Sequence, residues 1–202
     1  MTDSAQDRDT LRRALRLKRQ SLTPKEQALA AEQLLSTLLQ KTNSSVKKTI
    51  HILQQKLTPQ THVALYFAND GEISPSAICQ YCWQNNIVTY LPVIDGETLV
   101  FARYDAASIW QKNRFGIQEP VDNQPKQGEE MDIIFLPLVG FDNIGGRLGM
   151  GGGFYDKTFA NKQVNHSPLL IGLAHACQQV EQLSTEHWDV PLDGILTNSQ
   201  WH

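Results

Sequence analysis

The sequence predicts a single α/β domain in three layers: a mostly parallel, twisted sheet with helices on both faces. Two observations predict this class. Short apolar runs alternate along the chain with runs at helical spacing, which is the pattern of strand–helix–strand units. The chain has 202 residues, of which 41% are hydrophobic and 19% charged, as expected for one globular domain with one core. We therefore treat residues 1–202 as one domain.

The first 60 residues predict helices. Residues 1–7 are polar, and we expect them to be frayed, whereas apolar positions from Arg8 to Gln20 lie mostly at helical spacing. The segment 23–26 has Thr as N-cap, Pro at the first position and Glu closing a capping box, so a helix is predicted to about residue 40. Residues 41–60 break this helix, partly regain helical character and are predicted to form a surface insertion.

The rest of the chain alternates strands and helices. The predicted strands are residues 62–68, 87–93, 98–104, 131–139, 169–174 and 194–197. Asp95-Gly96 is a hairpin signal, so the third strand should run antiparallel to the second. Ser74-Pro75 should start a helix that reaches about Gln84.

Composition and charge exclude several classes of protein. The net charge is −3, from 18 basic and 21 acidic residues, so no basic field suggests nucleic acid as a partner. We find no apolar run of membrane-spanning length and no signal-peptide core, and we expect a monomer in the cytoplasm without a membrane partner. Cys79 and Cys82 form a C-x-x-C without a second ligand pair, so we interpret them as buried helix thiols.

Residues 145–153 form the most informative stretch, because they contain six glycines between a predicted strand and a helix predicted from Phe154 to about Lys162. Glycine lets the backbone take positive φ and approach a ligand closely. Exposed N–H groups at the start of a helix favour an anion such as phosphate. Arg147 adds a cation, with little core expected around it. The stretch is neither a Walker A loop nor a dinucleotide fingerprint, and a flexible surface loop is the alternative.

The order Arg-Leu-Gly-x-Gly-x-Gly-aromatic-Tyr-Asp resembles the signature of the 5-formyltetrahydrofolate cyclo-ligase family. The matching residues are Arg147, Leu148, Gly149, Gly151, Gly153, Phe154, Tyr155 and Asp156. The resemblance implies an ATP-dependent ligase that converts 5-formyltetrahydrofolate to 5,10-methenyltetrahydrofolate, with Mg²⁺, by phosphorylating the formyl oxygen. A non-catalytic folate or nucleotide-binding module is one alternative, and a sugar-phosphate or CoA-handling enzyme on a similar sheet is another.

The resemblance also implies which residues bind each ligand. Those implied for ATP are Arg8, Arg12, Arg147, Leu148, Gly149, Met150, Gly151, Gly152, Gly153 and Tyr155. Those implied for the folate are Phe67, Glu72, Phe115, Phe154 and Tyr155. The implied metal-linked acids are Asp156 and, on a shorter match, Asp193. Arg147 and Tyr155 are the implied catalytic residues.

Several of these residues have a purely structural alternative. Glu72 is also typical of a solvated turn, Phe115 of a core residue, and Asp156 of an acid favoured by a helix dipole. The basic residues of the first helix other than Arg8 and Arg12 are predicted to be solvated. The sequence departs from the pattern at Gly152, where some family members have lysine, so other cations must then balance the phosphate charge.

Overall fold

The computed structural model describes residues 2–40, 47–114, 116–163 and 166–202. Its α-helices are α1 (Thr2–Gln20), α2 (Pro24–Leu39), α3 (Lys47–Lys56), α4 (Ser76–Gln84) and α5 (Phe154–Thr158). Its strands are β1 (His62–Ala64), β2 (Val88–Asp95), β3 (Thr98–Tyr104), β4 (Trp110–Lys112), β5 (Gln118–Pro120), β6 (Ile133–Pro137), β7 (Gly140–Phe141), β8 (Arg147–Leu148), β9 (Leu169–Ala174) and β10 (Gly194–Thr197). No helix in these ranges is both long and apolar enough to cross a bilayer.

The central sheet has six strands in the order β10-β9-β6-β1-β2-β3. All neighbouring pairs are parallel except β2 and β3, which form the predicted antiparallel hairpin. The chain winds outward from β1 to β3 and then returns to β6 on the other side of β1. The carboxyl ends of β1 and β6 therefore border a topological switch point, which is where open α/β sheets bind ligands.

The alternation of side chains along β6 shows the three layers. Ile133 and Phe135 pack into the cluster that contains residues of α2, α3 and α4. Ile134 and Leu136 pack on the opposite face with Phe159, next to the end of α5. The side chains of all four of these residues are buried, as expected for a parallel strand covered on both faces. The predicted fold class is confirmed.

Two boundaries at the N-terminal end differ from the prediction. Helix α1 begins at Thr2, six residues before the helical spacing of the sequence begins at Arg8. An ion pair between Arg8 and Asp189 ties this end of the chain to the C-terminal part of the domain. The predicted insertion is only partly described, since residues 41–46 lie outside the described ranges. Its remainder forms α3, which buries Leu53 in the main core and so is more than a surface feature.

Two other elements are shorter than predicted. Strand β1 ends at Ala64, although the backbone N–H of Leu65 still donates to Tyr90 O at 2.9 Å. Tyr66 then leaves the sheet, and its hydroxyl donates to the carbonyl of Ile73 at 2.5 Å. Helix α5 stops at Thr158, whose hydroxyl donates to Phe154 O at 2.7 Å, a local bond that competes with helix continuation.

Cys79 and Cys82 are buried on α4, as the sequence predicted. Burial raises the pKa of the Cys79 thiol to about 11 and that of the Cys82 thiol to about 12, so both are protonated at neutral pH. The described residues contain no group of three or more His, Cys, Asp or Glu that could hold a metal ion. The thiols therefore act as small apolar groups in the core.

We predict that Cys79→Ala combined with Cys82→Ala lowers the free energy of unfolding by about 1–3 kcal/mol through lost packing. Turnover below the melting temperature should stay close to that of the wild type, and the purified wild-type protein should carry no stoichiometric zinc. Chemical denaturation, a turnover assay and elemental analysis check these points. One zinc ion per chain, or inactivity of a fully folded double variant, would restore a metal or redox role for the pair.

Candidate active site

A cleft of about 830 Å³ lies at the carboxyl ends of β1 and β6. Its walls come from α1, the segment that follows β1, the glycine-rich segment 149–153, the β4–β5 ribbon and a turn at residues 186–189. Its volume is within the usual range for sites that hold small molecules and cofactors. The sheet topology thus brings together segments that are far apart in the sequence.

The glycine-rich segment, residues 149–153, connects β8 to α5 and lines this cleft. It does not follow β6 directly, because the small β7–β8 ribbon lies between them. Gly151 has φ 98° and Gly153 has φ 66°, conformations that other residues rarely adopt. Gly153 is the N-cap of α5. The segment therefore presents backbone to the cleft, as the sequence predicted.

The cleft-facing side of α1 supplies two arginines one helical turn apart, Arg8 and Arg12. The Arg12 Nε donates to the carbonyl of Gly149 at 2.9 Å, which places its guanidinium against the glycine-rich segment. Arg8 donates to Asp189 at 3.2 Å and lies 3.8 Å from Glu186. The buried Arg8 Nε has no hydrogen-bond partner among the described residues. Both cations are thus next to the place that an anion bound to the glycine-rich segment would occupy.

Arg147 is held more firmly than predicted. Its side chain is buried, and one terminal nitrogen donates to the carboxylate of Asp156. Its Nε donates to the carbonyl of Val190 at 3.2 Å, and the Val190 N–H in turn donates to Asp156 at 3.0 Å. The expectation of an arginine with little core around it is therefore wrong. Arg147 links the start of the glycine-rich segment to the residues that follow the 186–189 turn.

The carboxylates of the cleft include one predicted acid and one that the sequence did not reveal. Asp156 lines the cleft, and both of its hydrogen bonds fall on Oδ1. Asp189 immediately precedes Val190 and also lines the cleft. Mg²⁺ in phosphate sites is commonly held by one or two carboxylates together with phosphate oxygens. The donor set of the cleft therefore fits a magnesium ion that arrives with a nucleotide.

Asp193 is not brought to this site. It forms an ion pair with Lys162 at 3.0 Å and accepts the N–H of Leu170 at 2.8 Å. Leu170 is at the beginning of β9, so Asp193 lies at the amino-terminal edge of the parallel sheet, opposite the cleft. The prediction that Asp193 is a metal-linked acid is therefore wrong on this geometry, and the acids of that region that line the cleft are Glu186 and Asp189.

Glu72 follows β1 and lines the same cleft, as the strand-end position predicted. Its side chain is 11% exposed and accepts the N–H of Asn69 at 3.1 Å. Burial raises the pKa of Glu72, while the bond from Asn69 and the nearby charge of Arg19 oppose that rise. Phe67 lies beside it, half exposed, and makes an edge-to-face contact with Trp110 at 5.9 Å between ring centroids.

Tyr155 lines the cleft between Phe154 and Asp156 in the sequence. Burial raises the pKa of its hydroxyl, with a further rise from the charge of Glu72 and an opposing effect from Arg147. The hydroxyl therefore remains protonated and can donate a hydrogen bond at neutral pH.

A buried arginine supports the loop that carries Glu72, and the sequence interpretation missed it. Arg19 was expected to be solvated, yet it is fully buried. It donates to the Asp70 carboxylate at 2.9 Å and to the carbonyl of Leu138 at 3.2 Å. The hydrogen bond from Arg16 is the main cause that lowers the pKa of Asp70 to about 2. These bonds fix the loop after β1 against α1 and β6.

Phe154 and one acid that the sequence did not single out also line the cleft. Phe154 lines the cleft, and the guanidinium carbon of Arg114 lies 5.9 Å from its ring centroid. Phe115 lies outside the described residues, so its predicted stacking role stays a prediction. Glu119, which the sequence did not single out, is buried at the cleft. Its Oε1 accepts a hydrogen bond from Asn113 Nδ2 at 2.8 Å.

Beneath the Glu72 loop, His175 is buried, and its pKa is lowered to about 4, mainly by burial. In the unfolded chain the His175 imidazole takes up a proton near pH 6.5, whereas in the folded chain it does so only near pH 4. Stability should therefore fall as pH drops through this window, by up to about 3 kcal/mol. We predict that His175→Asn reduces this loss. Urea denaturation of both proteins at pH 7 and pH 4.5 measures it, and equal losses would contradict the prediction.

The fold and the cleft define a class of protein: an α/β protein with a ligand-sized cleft at the carboxyl ends of its parallel strands, lined by a glycine-rich segment, arginines and carboxylates. The sequence model of the 5-formyltetrahydrofolate cyclo-ligase family matches residues 4–198, and the chain belongs to that family. The predicted family resemblance is confirmed. The family consists of ligases, and its known reaction is the ATP-dependent cyclisation of 5-formyltetrahydrofolate.

Individual relatives agree with this assignment. The chain is 42% identical over 198 residues to the 5-formyltetrahydrofolate cyclo-ligase of Haemophilus influenzae, covering 96% of this chain and 98% of the relative. It is 33% identical over 193 residues to that of Escherichia coli K12, covering 92% and 97%. Among solved structures, the 5,10-methenyltetrahydrofolate synthetase of Aquifex aeolicus superposes with a TM-score of 0.74 at 27% identity, covering 96% and 91%.

Proposed function

We propose that this cleft converts 5-formyltetrahydrofolate and ATP to 5,10-methenyltetrahydrofolate, ADP and phosphate by phosphorylating the formyl oxygen. The observation that carries the proposal is that two groups of ligand-binding residues line one cavity. The glycine-rich segment with Arg8, Arg12 and Arg147 is one group, which we propose as the phosphate end, and Glu72 with Phe67 is the other, which we propose as the folate end. A ligand on each would meet beside Tyr155, where phosphoryl transfer requires alignment.

The chemistry explains why ATP is required. The oxygen of a formamide is a poor leaving group, so the formyl carbon resists displacement. Transfer of the γ-phosphoryl forms a bond between the formyl oxygen and phosphorus and breaks the bond to ADP. The neighbouring folate amine then attacks the formyl carbon and loses its proton. The carbon–oxygen bond breaks, and phosphate leaves with the original formyl oxygen.

The phosphate end stabilises the charge that moves during transfer. The amides of Gly149 to Gly153 face the phosphates, and Arg8 and Arg12 contribute cations from α1. Arg147 positions the beginning of the glycine-rich segment through Asp156 and Val190 and adds positive charge there. These cations provide the charge balance that a lysine at Gly152 would otherwise supply.

The folate end orients the second substrate. Glu72 accepts a hydrogen bond from the folate and can take the proton that the attacking amine loses, a role that suits a carboxylate with a raised pKa. The hydroxyl of Tyr155 donates to the oxygen that moves between carbon and phosphorus. The rings of the folate pack on Phe67, Phe154 and Phe115. The ring of Phe67 is half exposed and can therefore be covered by a ligand.

We also propose Mg²⁺ as the cofactor, held by Asp156 and the nucleotide phosphates, with Asp189 beside them. When bound, the ion neutralises phosphate charge and orients the γ-phosphoryl. We propose further that the chain acts as a monomer, and that it acts in the cytoplasm, consistent with three free cysteines. Nucleic acid has no proposed role, given the net charge of −3.

Incubation with 5-formyltetrahydrofolate tests the proposal directly, because the methenyl product absorbs in the near ultraviolet. We expect product with MgATP, little with ATP and a magnesium chelator, and none without ATP. The alternative of a non-catalytic binding module predicts binding of both ligands without any product, measured by calorimetry on the same sample. That result would overturn the proposed activity while leaving the site description intact.

A further inference from the structure

Two aromatic rings that are more than half exposed line the cleft in the described part of the chain, and different segments carry them. Phe67 is 53% exposed and follows β1, beside Glu72. Trp188 is 57% exposed and lies in the 186–189 turn, beside Asp189. Exposing a ring as large as tryptophan leaves much apolar area in water, so a ring partner can recover that area on binding.

Hydrogen bonds on either side of Trp188 close the turn that carries it, while its ring is exposed. The N–H of Glu186 donates to the Asp189 carboxylate at 2.8 Å, and the N–H of Asp189 donates to the carbonyl of Glu186 at 3.0 Å. Arg8 binds the same carboxylate from α1. The ring of His187 lies edge-on to that of Trp188, with centroids 4.5 Å apart. A fixed turn with an exposed ring costs little entropy when a ligand stacks on it.

The turn adjoins the phosphate end of the cleft. Arg8, which anchors the turn, is one helical turn from Arg12, which contacts Gly149. On the other side, the Val190 carbonyl accepts a bond from Arg147 at 3.2 Å. A group attached to a triphosphate on the glycine-rich segment would therefore extend along a wall that includes Trp188.

We propose that Trp188 is the stacking platform for the adenine base of ATP. This inference rests on the proposed function and adds a base-binding residue to it. The two substrates each carry a flat heteroaromatic ring, and the cleft offers Phe67 to the folate and Trp188 to the purine. Stacking on an aromatic ring suits any purine face, so Trp188 supplies affinity more than discrimination between bases.

Calorimetric titration of Trp188→Ala with ATP, ADP and inorganic tripolyphosphate tests this assignment, because tripolyphosphate has phosphates but no base. We expect the affinity for ATP and ADP to fall on the order of tenfold while the affinity for tripolyphosphate is unchanged. Trp188→Phe should retain most of the nucleotide affinity, since it keeps a stacking ring. Leu29→Ala, which removes an exposed side chain from α2 outside the cleft, is the control for a general effect of surface truncation.

The outcomes separate this inference from the proposed function. Wild-type protein that binds ATP, together with Trp188→Ala that binds ATP equally well, would overturn the stacking role alone. Equal losses for ATP and tripolyphosphate would also overturn it, because they would show that Trp188 only positions Arg8 and Asp189. Wild-type protein that binds neither ATP nor ADP would overturn the proposed function and this inference together.

Discussion

Arg147→Ala is expected to impair both folding stability and ATP binding. The substitution leaves the partly buried Asp156 without its cation, and breaking a buried ion pair typically costs about 3–5 kcal/mol. It also removes a charge beside the phosphates, so MgATP affinity should fall by at least about tenfold. Chemical denaturation and calorimetric titration at a temperature where the variant is folded measure the two effects.

Arg12→Ala provides the matched control. Arg12 contacts the same glycine-rich segment, but its ion pair with Asp9 is largely solvent-exposed. We therefore expect a similar loss of MgATP affinity with a stability change of about 1 kcal/mol or less. Arg147→Ala with unchanged stability would contradict the structural role of its pair with Asp156. Unchanged ATP affinity in folded protein would contradict its place at the phosphates.

Glu72→Gln is expected to reduce folate turnover by about 10²–10⁴-fold while leaving ATP binding intact. Glutamine can still accept the N–H of Asn69, so the loop should keep its shape, but it cannot take a proton. Steady-state kinetics with both substrates and ATP titration measure the effect. Glu32→Gln, an exposed change on α2, should have no effect on either quantity.

The pH dependence of turnover gives a second measure of Glu72. Its pKa is raised above the ordinary value, so the ionised form is lost as pH falls through a point above 4.5. Wild-type turnover should decline on that acid side, and folded Glu72→Gln should lack this decline. A variant that loses ATP affinity but retains its folate Michaelis constant would show that the two ends of the cleft are assigned the wrong way round.

Local patterns in the sequence were sufficient for much of the fold. The capping box at the start of α2 is present, with Glu26 accepting the N–H of Thr23 at 2.7 Å. The hairpin at Asp95-Gly96 joins β2 and β3 as predicted. The positive φ values of Gly151 and Gly153 agree with the prediction that this segment needs the backbone freedom of glycine. Each of these features depends on residues that are close in the sequence.

The missed features depend on residues that are distant in the sequence. Arg19 reaches Leu138, 119 positions away, and Arg8 reaches Asp189, 181 positions away. A basic run on a helix predicts a solvated face, and local spacing does not show which of its members the tertiary fold buries. For the same reason, local spacing gave no signal that Asp189 and Trp188, which precede the last strand, line the cleft.

The fate of the formyl oxygen tests directly whether this oxygen is phosphorylated. In the proposed reaction, the γ-phosphoryl transfers to this oxygen, which then leaves as part of inorganic phosphate. With 5-formyltetrahydrofolate labelled with ¹⁸O in the formyl group, one turnover with MgATP should place the label in the released inorganic phosphate, as read by mass spectrometry. If the phosphate carries no label and the label is recovered in water while methenyl product forms, phosphorylation of the formyl oxygen is contradicted.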